Sequence, residues 1–89
     1  MTATPPIIHV VDDDAPFRTG VARLLQAAGY RVALYESGHQ LLANPPGMEA
    51  GCILLDMRMP ELNGLELQDR LNEIASILPI VFLTGHGSV

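Results

Sequence analysis

Four short runs constrain this chain more than anything else in it: IIHVV at 7–11, RVALY at 31–35, GCILLD at 51–56 and PIVFLTG at 79–85. They are too short for buried helices and mostly apolar at successive positions, the pattern of strands buried on both faces. The segments between them have a different period. After the first run, Pro16 suits a first helical turn, and Phe17, Val21, Leu24, Leu25 and Ala28 lay an apolar stripe along a helix that Gly29 ends. After the second, Ser37 is placed to cap a helix with Gln40 completing a capping box, and Pro45 and Pro46 stop it. After the third, Asn63 is placed as a cap, Leu67, Leu71, Ile74 and Leu78 form the inward stripe, and Pro79 ends the helix.

The resulting order, βαβαβαβ with short connections, predicts an α/β domain with a parallel sheet covered by helices on two sides. A flavodoxin-like, doubly wound sheet with strand order 2-1-3-4 fits a second helix that crosses back over strand 1. A Rossmann order would want a glycine-rich turn after strand 1, where this chain has aspartates. In either arrangement the ligand crevice lies at the carboxyl ends of the strands.

Those ends carry the chemistry. Asp12, Asp13 and Asp14 follow the first strand, Asp56 ends the third, and Thr84 lies at the end of the fourth. Adjacent carboxylates are costly: at 4 Å two of them repel by about 4 kcal/mol at an effective dielectric near 20. One aspartate before APFR is explained as a helix cap, the role assigned to Asp14. Asp12 and Asp13 are left, and neighbouring strands 1 and 3 would bring them beside Asp56. A divalent cation cancels the repulsion of such a group, and a ligand set made only of oxygen selects a hard ion such as Mg²⁺. The implied chemistry is phosphoryl transfer, with the metal neutralising charge and one carboxylate as acceptor.

VVDDD, LLDMRMPELNGLEL and IVFLTGHG, in this order and spacing, resemble the receiver domains of bacterial two-component response regulators, particularly those that precede a LuxR-type helix-turn-helix output domain. The resemblance runs from about Ile7 to Gly87, after a tail at 1–6. It implies that a sensor histidine kinase phosphorylates Asp56 and that Asp13 binds Mg²⁺ directly. Asp12 would bind it directly or through water, Asp56 would share the ion, and the backbone carbonyl of Arg58 would be a further ligand. Thr84 would supply the hydroxyl that turns toward the phosphoryl group, and Pro60 and Gly64 match the loop after strand 3. The family continues through a fourth helix, a fifth strand ending in lysine and proline, and a fifth helix; this sequence has no counterpart to them and no lysine at all. It therefore reads as a partial receiver over 7–89. Its fourth strand would be an open edge that invites homodimer or strand-edge association.

Two other classes compete with the acceptor role. A haloacid-dehalogenase-type phosphatase needs a second aspartate two residues past the nucleophile, where this chain has Arg58. A module acting only through interactions, without phosphorylation, leaves the acidic pair and the acceptor unexplained. The expected activity is that of a phosphoacceptor with at most weak intrinsic phosphotransfer and autodephosphorylation, not that of an enzyme. Net charge is −5, from ten acidic residues and five arginines, which argues against direct binding of nucleic acid or an anionic membrane by this segment. The output DNA-binding domain would belong to the full-length protein. No apolar run approaches a membrane span, and the lone Cys52 reads as a small core residue in a reducing, cytoplasmic setting. His9 reads as a core or partly exposed strand residue, His39 and His86 as surface residues, and Met57 and Met59 as loop packing.

Overall fold

The computed structural model describes residues 4–47, 50–56, 65–75 and 77–83. Along them run β1 (Ile7–Val11), α1 (Ala15–Ala27), β2 (Arg31–Tyr35), α2 (Gly38–Ala43), β3 (Gly51–Asp56), α3 (Leu65–Ala75) and β4 (Ile80–Leu83). The strands form one parallel sheet in the order β2-β1-β3-β4, the flavodoxin-like arrangement expected from the sequence. β1 is central: Val11 lies beside Tyr35 on one side and Leu55 on the other. Residues in register share a face, so the sheet has two chemically distinct sides.

One side carries the larger core. Val11, Tyr35, Ile53 and Leu55 from the sheet pack with Leu41 of α2 and Leu71 of α3, and with Leu78 beyond it. On the other side α1 lies over β1 and β2, burying Ala22, while Ile8 and Val10 are buried in the sheet beneath. The helical stripe needs correction here. Val21 and Leu25 are half-buried, but Leu24 is 74% exposed, and Phe17 and Ala28 are also exposed, because α1 spans only two strands and presents a narrower face than its apolar residues allow. β4 departs from the doubly buried pattern too: as the edge of the described sheet it leaves Val81 and Phe82, on opposite faces, about half exposed.

Helix ends follow their local chemistry. Asp14 caps α1 by accepting from the Phe17 amide at 3.2 Å, with Pro16 in the first turn. At the other end Gly29 has φ of 98°, and the amides of Gly29 and Tyr30 donate to the carbonyls of Gln26 and Leu25, closing the helix in the left-handed conformation that glycine adopts without strain. Ser37 caps α2 through the Gln40 amide, but the Gln40 side chain accepts from the Glu36 amide, one residue before the partner a capping box would use. The third helix ends at Ala75; Leu78 is buried from the turn after it, not from the helical stripe. The last strand begins at Ile80 instead of Pro79. The proposed cap Asn63 lies outside the described residues. Pro5 and Pro6 of the tail accept from Arg31 at 3.0 and 3.1 Å, fastening it to the start of β2.

Inside the sheet, His9 is buried and its Nδ1 lies 2.9 Å from the Tyr35 hydroxyl. Burial pushes the Tyr35 phenol above its ordinary value of 10.0, so the fold favours the neutral ring. The stabilisation is complete below the unfolded value and is lost as pH rises through the raised folded value. Urea unfolding at about pH 8 and about pH 11 should show an alkaline loss of stability that shrinks in Tyr35→Phe, which itself should cost about 1 kcal/mol at neutral pH. An alkaline loss of the same size in the variant would assign the titration to another group.

The two ends of the glycine scale give a second test. A Cβ built on Gly51 would lie 1.9 Å from the Ile7 carbonyl oxygen, where β3 begins its pairing with β1. On Gly20, exposed in the middle of α1, a Cβ would meet nothing within 4 Å. Gly51→Ala is expected to destabilise by on the order of 3 kcal/mol, and Gly20→Ala to stabilise by about 0.5 to 1 kcal/mol. Thermal and urea unfolding of the two variants check both signs.

Candidate functional site: an acidic cluster at the strand ends

The register of the central pair builds the site. Val11 lies beside Leu55, so the next residue of each chain, Asp12 and Asp56, emerges at the same level of the sheet. Asp13 follows Asp12, and the three carboxylates offer oxygens that all lie within 4.8 Å of one another. Asp12 and Asp56 are only 1% and 2% exposed, whereas Asp13 is open to solvent. No fully buried side-chain nitrogen or oxygen among the described residues lacks a hydrogen-bond partner.

Asp12 is fixed from three directions. Its amide donates to the Tyr35 carbonyl at 3.1 Å, continuing the β1–β2 ladder one step past the strand. Its Oδ1 accepts from the Asp14 amide at 2.8 Å, and its own carbonyl accepts from Arg18 Nη1 at 2.7 Å. Asp14, which sequence reasoning gave to the helix cap, is occupied there and stands outside the three-carboxylate group. The loop thereby separates its three aspartates by role.

The donor set is oxygen only. His9 is engaged with Tyr35 in the sheet, and His39 is exposed on α2, so neither histidine belongs to the group. Three carboxylates at this spacing fit a hard divalent cation, which offsets their mutual repulsion and can retain water on its remaining positions. An ammonium or a soft metal would gain less from such a set. Arg58 and Thr84, also expected here, lie outside the described residues, as do Met57, Met59, Pro60, Gly64 and His86. β4 runs beside β3 with Leu83 next to Asp56, the last residue of β3 and a member of the cluster.

The profile of the response regulator receiver domain matches residues 8–89. This chain is a member of that family. Among curated relatives, the receiver resembles transcriptional regulatory protein FixJ of Bradyrhizobium diazoefficiens, 43% identical over 82 residues that make up 92% of this chain and 40% of FixJ. It also resembles tetrathionate response regulatory protein TtrR of Salmonella typhimurium, 45% identical over 82 residues, again 92% of this chain and 40% of the relative. The chain thus spans about 40% of the length of these relatives. Among solved structures, response regulator StyR superposes with a TM-score of 0.78 at 41% identity over 96% of this chain and 43% of StyR. The FixJ-N crystal structure superposes with a TM-score of 0.76 at 34% identity over the whole of this chain and 70% of that one.

Two participants escaped sequence reasoning: Tyr35 and Arg18. Tyr35 acts through its carbonyl, which no residue type announces. Arg18 left a faint signal, since it stands four residues after the cap Asp14 and so on the same face of the helix, over the aspartate loop.

Mg²⁺ is expected to raise the melting temperature of this receiver by mass action, since unfolding disperses the three carboxylates. At free Mg²⁺ about a hundredfold above Kd the gain is about 2.7 kcal/mol. Asp13→Asn, which removes the exposed charge of the group without opening a buried cavity, should abolish most of the shift. Calorimetric melting with and without Mg²⁺ measures it.

Proposed function

We propose that this chain is the phosphoacceptor domain of a two-component response regulator, with Asp56 as the acceptor of a phosphoryl group from a sensor histidine kinase. The observation that carries the reading is the convergence of Asp12, Asp13 and Asp56 at the carboxyl ends of β1 and β3. Asp12, Asp13 and Asp56, together with the Arg58 carbonyl, would hold Mg²⁺. The ion when bound supplies the positive charge that lets an anionic phosphoryl group approach a carboxylate pocket.

The chain's own groups divide the work. An Asp56 oxygen attacks phosphorus in line. The O–P bond forms as the bond from phosphorus to the donor histidine's nitrogen breaks, and that nitrogen leaves with the electron pair and keeps a proton from solvent. Asp56 sits at the end of a buried strand, which sets its carboxylate against the incoming group with little freedom to lose. Asp12 and Asp13 keep the metal side of the pocket and do not compete as nucleophiles. Thr84 would turn its hydroxyl to the transferred group and carry the change toward β4.

The relatives are transcriptional and response regulatory proteins by name, and the chain covers only part of each. We accordingly place this domain upstream of an output region that contacts DNA, in a cytoplasmic protein. No described helix is long and apolar enough to cross a membrane.

Acetyl phosphate with Mg²⁺ should label Asp56 and neither Asp12 nor Asp13, read by intact mass and by reductive trapping of the acyl phosphate followed by peptide mapping. Asp56→Asn should lose the label entirely, and chelation should suppress it in the unaltered protein. Label that persists in Asp56→Asn would overturn the assignment.

A further inference from the structure

We propose that Arg18 is a positioning residue for the cation site, holding Asp12 in its binding geometry through the backbone; the proposal rests on the metal-dependent reading of the acidic cluster given above. Of the hydrogen bonds to Asp12 described above, the one to Tyr35 prolongs the sheet and the one from the Asp14 amide is local to the turn. The third is made by a side chain reaching in from another element: Arg18 Nη1 donates to the Asp12 carbonyl at 2.7 Å from the first turns of α1. Arg18 is itself half-buried and its amide donates to the Asp14 carbonyl at 2.9 Å, so its backbone is anchored one helical turn past the cap.

The Asp12 carbonyl belongs to the peptide unit that joins Asp12 to Asp13. A planar peptide moves as one body, so a clamp on this oxygen limits rotation of both residues that flank it. Those residues supply two of the three carboxylates in the cluster. A charged donor on a carbonyl also makes a shorter, stronger bond than a neutral one. The arrangement is the backbone counterpart of the outer partners that orient metal ligands, whose loss typically costs about 10- to 100-fold in metal affinity.

The sign of the effect separates this role from simple electrostatics. A cation beside an acidic pocket opposes the binding of a second cation, so on charge alone removal of Arg18 would tighten Mg²⁺ binding. A positioning role requires the opposite. Isothermal titration with MgCl₂ at fixed ionic strength, on the unaltered protein, Arg18→Met, Arg18→Lys and Arg23→Met, distinguishes them. Arg23 is exposed farther along the same helix and serves as the control for charge.

We expect Arg18→Met to weaken Mg²⁺ about tenfold or more, Arg18→Lys to fall between it and the unaltered protein because one donor is kept, and Arg23→Met to bind equally or slightly more tightly. The Asp14 amide resonance, which reports its bond to Asp12 Oδ1, should shift in Arg18→Met before any metal is added. Mg²⁺ bound by Arg18→Met as tightly as by the unaltered protein, or more tightly, overturns the proposal while leaving the site reading intact. If Arg18→Met no longer unfolds cooperatively, Arg18→Lys decides, and affinity equal to that of the unaltered protein overturns it. Absence of saturable binding to the unaltered protein overturns both this proposal and the metal-dependent reading.

Discussion

The pairing of β1 with β3 is the constraint on which the rest depends. Two parallel strands in that register deliver Asp12 and Asp56, far apart in the sequence, to one level at the end of the sheet. A slip of one residue would turn every side chain of a strand to the opposite face, exposing Val11 or Leu55 and separating the carboxylates. The register is secured at its far end by Gly51, the residue facing Ile7, where the β1 backbone leaves no room for a side chain. Core and chemistry are thus two consequences of one alignment: the odd-numbered residues of β1 and β3 face the α2/α3 layer, and the strands end on acids.

Sinking two carboxylates into a domain this small is costly unless the surroundings are polar and arranged in advance. Around Asp12 the described bonds all involve a backbone group. The Asp14 amide meets the Asp12 side chain, the Tyr35 carbonyl takes the Asp12 amide, and Arg18 takes the carbonyl. The third aspartate of the run is diverted to cap α1. Each member of the triple therefore has a separate environment: Asp12 buried and braced, Asp13 open to solvent, Asp14 committed to the helix. That division resolves the apparent excess of like charge, and it is the arrangement a receiver needs if a cation is to enter from the solvent side.

Particular residues show where reading the sequence succeeds and where it stops. The strands were legible because runs such as IIHVV and GCILLD combine β-branched or apolar side chains with a length that excludes a buried helix. The caps at Asp14 and Ser37 were legible because their chemistry is local. The covered side of α1 was not: its stripe includes Leu24, yet how much of a stripe is buried depends on how many strands lie beneath the helix. Leu78 looked like the last turn of α3 and is instead buried from the following turn, since a core site can be filled from either. Neither outcome can be computed from spacing alone.

By itself the sequence determined the element order, the parallel sheet, the kinship with response regulator receivers and the gathering of Asp12, Asp13 and Asp56, because each follows from periodicity, from short-range chemistry or from motifs in register along the chain. Tertiary structure alone decided how the three aspartates are held apart in role. It set Asp12 on the Tyr35 carbonyl and under the Arg18 guanidinium, buried His9 against the Tyr35 hydroxyl, and made Gly51 a steric requirement. The physical reason is that these bonds run through backbone atoms, which every residue type shares, or across elements whose spacing the sheet fixes only once it has formed.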